Sequence, residues 1–138
     1  MSAYAMDAVD YCEQGFGVQL DYSEESVRSI EDVFVRLFAD LPKGWISRTF
    51  KRGPSPEQID TICKMLGGYI GEVMRRHWGG EWKLRSDVAP GEVIVTLGLP
   101  GGTDVWPHFK VAKRLSNGPE DNVWSYYRVL KERIGTDA

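Results

Sequence analysis

The stretch from Ser55 to Gly80 constrains the fold more tightly than any other part of the chain. Ser55-Pro56-Glu57-Gln58 combines an N-cap, a proline at the first helical position and a glutamine that completes a capping box. Ile59, Ile62, Cys63, Leu66, Ile70, Val73 and Met74 then fill one face, and Gly79-Gly80 stops the helix. Gly67, Gly68 and Gly71 interrupt it, each costing about 1 kcal/mol relative to alanine, so something must compensate. Gly67 and Gly71 lie on one flank of the apolar stripe. The spacing predicts another backbone or an aromatic ring in close contact there.

The other elements follow from the same rules. Residues 3–13 carry Tyr4, Ala8, Tyr11 and Cys12 at helical spacing, with Gly15 and Gly17 as the stop. Ser23 caps a second helix whose first turn holds Glu24 and Glu25. Its core stripe is Val27, Ile30, Phe34, Leu37, Phe38 and Leu41, and Pro42 and Gly44 end it. From Glu81 the period changes to two. Trp82 and Leu84 alternate with charged residues, Pro90-Gly91 turns the chain, and Val93, Val95, Leu97 and Leu99 alternate with Glu92, Ile94 and Thr96. A second turn at Pro100-Gly101-Gly102 precedes a third strand over 105–111, placed at an edge or bulge by Pro107. Asp121 is the expected cap of a last helix buried through Val123, Tyr126, Tyr127, Leu130 and Ile134. The expected fold is α+β, a three-stranded or slightly larger antiparallel meander packed against N-terminal helices and a C-terminal helix.

Composition sets the class. The 138 residues, 42% hydrophobic and 27% charged, suit one domain over 1–138 and lie outside the disordered regime. No apolar run reaches the roughly 18 residues of a membrane span, and the acidic first ten residues lack a secretory leader's pattern. Cys12 and Cys63 form no framework and fit a reducing cytosol. Charge is unevenly spread. Residues 1–40 hold nine acids and two bases, while the remainder has a net charge of +4. The acidic segment either neutralises the basic remainder or offers a docking face to a basic partner, with Glu24, Glu25 and Glu31 as its centre.

Candidate sites are few. Glu72 follows Gly71 in an apolar helix, with Arg75 and Arg76 at i+3 and i+4. The pattern suits a structural ion pair, an anchor for a second packed layer, or a carboxylate that contacts a ligand. His77 and His108 are the only histidines, and no metal-ligand spacing accompanies them, so no metal or cofactor is expected. His108 is placed beside Trp106 on a partner-facing edge strand. No nucleophile motif or phosphate-cradling loop is present, which points away from catalysis. Lys110, Lys113 and Arg114 with Trp106 and Phe109 mimic a nucleic-acid surface, but a pI near 5.4 argues against that role. Five tryptophans, at 45, 78, 82, 106 and 124, include candidates for surface anchors.

The run Gly68-Tyr69-Ile70-Gly71-Glu72-Val73-Met74-Arg75-Arg76, then Gly79-Gly80-Glu81-Trp82, resembles the core of a family of small bacterial domains of unknown function. The family's motifs are Tyr-x-Gly-Glu-Val-x-Arg, Gly-x-Trp and a later Pro-x-x-Lys-Val-x-Lys-Arg-x-x-Asn-Gly-x-x-Asp, matched here by Pro107 to Asp121. The likeness covers residues 21–134 as a core and leaves 1–20 as an N-terminal extension. It implies a bacterial, cytoplasmic setting and no established reaction. By looser analogy, small acidic domains recur among immunity proteins that neutralise secreted toxins. The leading expectation is a non-enzymatic protein-binding domain of the immunity or adaptor type, with a protein partner such as a basic toxin and neither nucleic acid nor membrane as partner. One alternative is a small-molecule site lined by Glu72, Tyr69, Trp82 and Lys110, with Arg75 beside it; a Glu72 fully paired in a closed interior would remove it. The other is a structural module that self-associates into a homo-oligomer through an edge strand near Trp106.

Overall fold

The computed structural model describes residues 2–40, 55–87, 90–91 and 93–137. Leu41, the stop at Pro42 and Gly44, Trp45 and Glu92 lie outside the described residues. Five α-helices, α1 (Ser2–Phe16), α2 (Glu24–Asp40), α3 (Pro56–Trp78), α4 (Pro107–Asn117) and α5 (Val123–Asp137), surround a small sheet of β1 (Glu81–Arg85), β2 (Ile94–Gly98) and β3 (Asp104–Val105). The strands run β1-β2-β3 with both pairings antiparallel, the expected meander in an α+β fold.

Helix α3 is the spine. Its capping box forms as predicted, with the Gln58 amide donating to Ser55 Oγ and the Ser55 amide donating to Gln58 Oε1. Along it lies α1, whose buried face of Ala5, Ala8 and Cys12 is built of small side chains and so permits close approach. Ala5, Ala8, Cys12 and Leu20 belong to the buried core. Gly17, at φ 67°, closes α1 by letting the Val18 amide reach back to the Cys12 carbonyl. Burial pushes the Cys12 and Cys63 thiols up to about 11 and about 12, so both behave as inert core groups.

Two of the three glycines of α3, Gly67 and Gly71, are explained by what lies over them. A Cβ at Gly67 would stand 2.6 Å from the backbone nitrogen of His108, and one at Gly71 would strike the Trp82 ring. One glycine admits a backbone and the other an aromatic ring, as the flank position of the pair predicts. Register fixes the two faces of the sheet. Trp82 pairs with Leu97 and Leu97 with Val105, and this face packs toward α3. On the opposite face Thr96 is buried, its hydroxyl accepting from Trp106 Nε1 at 2.8 Å.

Two expectations are corrected. The third strand spans only Asp104–Val105, not 105–111, and Pro107 opens a helix instead of marking a strand edge. Its fixed φ and missing amide suit the first helical position, and Val111, Arg114 and Leu115 then supply a buried face at i, i+3 and i+4. The cap of α5 is Asn122, whose Oδ1 accepts from the Ser125 amide; Asp121 ends a single 3-10 turn, Pro119–Asp121, and accepts from Lys110 and Asn117. In the stripe of α2, Val33 is buried, whereas Phe38 is exposed enough to lie across Gly118.

Candidate functional site

Glu72 is 1% exposed, although helical phase points it away from the main stripe. Arg75 Nε and Nη2 donate to its two oxygens at 2.9 and 3.0 Å, Trp82 Nε1 donates at 2.7 Å, and Arg76 stands 3.5 Å away. The carboxylate therefore anchors the sheet to α3 beside Gly71, where the Trp82 ring seats. Of the three roles open to it, structural ion pair and layer anchor describe the geometry. No oxygen is left open for a ligand, which removes the support for a site around Glu72. Tyr69 and Lys110 do not join it. The Tyr69 hydroxyl accepts from the Tyr22 amide at 2.7 Å and bonds Ser26 Oγ at 2.6 Å, holding the start of α2. Lys110 pairs with Asp121 at 3.1 Å on the other side of α4.

The hydrogen bonds of Arg75, ahead of an opposing effect of burial, hold the Glu72 carboxyl below the usual carboxylate range. A group with a lowered folded-state pKa contributes stability above its unfolded value, about 4.3, and loses it as pH falls through the folded value. Glu72→Gln is expected to cost about 1–3 kcal/mol at pH 7, the loss of charge-assisted hydrogen bonds. Urea unfolding of both proteins from pH 7 to pH 3 should show this gap narrowing below about pH 4.5. A gap independent of pH would contradict the assignment.

The three acids expected to form a docking face have different fates. Glu31 is 7% exposed and inward-facing, accepting from Arg114 Nε at 3.0 Å and from the Val123 amide at 2.6 Å. It binds α2 to α4 and to the N-terminus of α5. Glu24 accepts from Trp78 Nε1, the Tyr127 hydroxyl and Lys131 Nζ, at 3.2, 2.6 and 2.8 Å. Burial alone would raise its pKa, and these donors outweigh that and lower it. Only Glu25 is fully at the surface, paired with Arg28 at 3.3 Å. Two of the three are internal ties and not parts of one face.

Of the described tryptophans, Trp78, Trp82 and Trp106 are half-buried with their indole N–H groups bound inside the chain, and Trp124 stacks on Tyr127. Trp106 lies beside a two-residue strand, and among the described residues no strand pairs with the outer side of β1, the longer of the two edge strands. His108 sits on α4 rather than on a strand, half-buried, and burial lowers its pKa. It lines a cleft of about 520 Å³ with Tyr4, Asp60, Lys64, Val93 and Phe109 among its walls. Among the described residues, no group of three or more His, Cys, Asp or Glu is placed to hold a metal ion, and no helix is long and apolar enough to cross a membrane.

One surface was missed by residue-level reasoning. Asp7, Asp10 and Glu13 recur at i, i+3 and i+6 on the exposed side of α1, a helix with no basic residue. None of the three forms an ion pair among the described residues. Met6 stands among them, 64% exposed. Their spacing was the available signal, hidden by treating the acidic segment as one block.

No protein-family model, curated protein or solved structure matches the chain significantly.

Proposed function

We propose that this chain is a non-enzymatic protein-binding domain of the immunity or adaptor type, acting in a bacterial cytoplasm. It receives a basic protein partner on the exposed face of α1. The observation that carries this reading is the exposed stripe of Asp7, Asp10 and Glu13 beside the exposed Met6, with no ion pair to any of the three among the described residues. Acids elsewhere in the first 40 residues are partly consumed by internal ties through Glu24 and Glu31, whereas these three are left to solvent. A same-sign stripe gives long-range attraction for a basic surface, and an exposed apolar side chain at its N-terminal end supplies contact area once docked. The same charge repels nucleic acid.

Tagged protein would be incubated with lysate of its source organism at low and moderate salt, beside the variant Asp7→Lys, Asp10→Lys, Glu13→Lys. The three sites are exposed, so the variant should retain the native unfolding midpoint. One stoichiometric basic protein held by the native domain, released by salt and absent from the variant, is the expected result. A partner retained equally by the variant, or no partner at either salt, would refute the assignment.

A further inference from the structure

Helix α3 presents one flank as Asp60, Lys64, Gly67 and Gly71, at i, i+4, i+7 and i+11. Its glycine half is covered, since α4 begins against Gly67 and Trp82 lies on Gly71. The charged half is not covered. It forms one wall of the 520 Å³ cleft, which Val93 and the N-terminal turn of α4 complete. Three of the chain's exposed large apolar side chains, Tyr4, Val93 and Phe109, stand at this one opening. Such clustering, rather than single exposed residues, is what marks binding surfaces.

The polar groups are particular. Asp60 Oδ2 and Lys64 Nζ lie 2.8 Å apart, so the cleft offers both signs of charge side by side. Both side chains are about half exposed, and a pair of that kind contributes little to stability and is cheaply exchanged for other partners. His108 is half-buried, and its lowered pKa favours the neutral ring, which adds a hydrogen-bonding group without adding a charge. A ligand with one net charge would meet a like charge here. A head group carrying an ammonium and a carboxylate on neighbouring atoms would meet Asp60 with the first and Lys64 with the second. Behind it, Val93 and the Phe109 ring, whose centroid is 4.0 Å from that of His108, offer an apolar surface to a flat body.

We infer that this cleft binds a small zwitterion with a flat apolar body, of which an aromatic α-amino acid is the simplest member. The site is separate from the face of α1 assigned to a protein partner and stands or falls independently of it.

The test uses the full chain labelled with ¹⁵N and titrated with L-phenylalanine, 3-phenylpropionate and phenethylamine, the last two each lacking one charge. L-Phenylalanine should give saturable shifts confined to Tyr4, the first half of α3, Val93–Val95 and His108–Phe109. Each analogue should bind about tenfold or more weakly, the loss expected of one charge-assisted hydrogen bond. The variants Asp60→Asn and Lys64→Met, at exposed positions, should keep the native unfolding midpoint while reducing L-phenylalanine to the affinity of the analogues. The inference is overturned if shifts do not saturate, if the analogues bind equally well, or if the variants leave the preference intact. Saturation by a peptide ending in phenylalanine but not by the free amino acid would also overturn it, assigning the cleft to a protein partner.

Discussion

Replacing Glu31 with alanine is expected to cost about 3–5 kcal/mol of folding stability, the largest effect of any single surface-to-core substitution discussed for this chain. Arg114 is 1% exposed, and among the described residues its carboxylate partner is Glu31 alone. Without that partner a guanidinium is left buried and uncompensated, and the first amide of α5 loses its acceptor. Measured against a total stability of roughly 5–15 kcal/mol, such a loss brings the domain close to unfolding. The converse substitution sharpens the prediction. Arg114 Nη1 is buried with no hydrogen-bond partner among the described residues, and the ring centroids of Phe34 and Phe38 stand 5.9 and 6.0 Å from the guanidinium carbon. The pair is therefore imperfectly satisfied in an apolar neighbourhood. Glu31→Leu combined with Arg114→Met should lose far less than the sum of the single variants, because an apolar pair replaces a buried, incompletely hydrogen-bonded ionic one. Urea unfolding at pH 7 of the two singles and the double provides the cycle. Additive losses would show that the two side chains do not act as a unit.

Gly67→Ala carries the second large effect. In an exposed helix interior the same change stabilises by about 1 kcal/mol, and Gly135, with nothing within 4 Å of an added Cβ, is the internal control. At Gly67 the methyl group would meet His108 backbone, which cannot swing aside as the end of a flexible side chain can. Helix α4 must move as a body, at an overpacking cost of about 1–3 kcal/mol that exceeds the propensity gain at its upper end. The expected result is a lower thermal midpoint for Gly67→Ala and a raised one for Gly135→Ala. Because His108 and Phe109 are carried by α4, the Gly67 variant should also perturb the cleft. A stabilised Gly67→Ala would mean that the close approach of α4 and α3 is not real.

Local signals read well where one segment held all the information. The capping box of α3 and the close neighbours of Gly67 and Gly71 were readable without contacts, whereas the alternation of the sheet was not, since Ile94 and Thr96 are buried while Val93 and Leu84 are exposed. The start of α4 was misread because Val105 to Val111 alternates weakly, and Pro107 is equally at home at a strand edge and at the first position of a helix. Val111 with Leu115, followed by Asn117-Gly118, carried the helical alternative. The Glu31–Arg114 tie was not readable, since 83 positions separate the partners and neither is unusual in its local setting. The same holds for Glu24, whose donors come from α3 and α5. Acidity in the first 40 residues was plain from the sequence. Which acids faced solvent depended on packing, and that moved the candidate docking face from α2 to α1.

The central claim is the place where a partner docks. The most direct measurement is cross-saturation NMR from the captured partner to the ²H,¹⁵N-labelled domain, which reports contact residue by residue. Attenuation is expected to concentrate on the solvent side of α1, at Met6, Asp7, Asp10 and Glu13 and their exposed neighbours. Attenuation centred instead on the open edge of β1 around Leu84, or on Val93 and Phe109 at the cleft, with α1 unaffected, would contradict it.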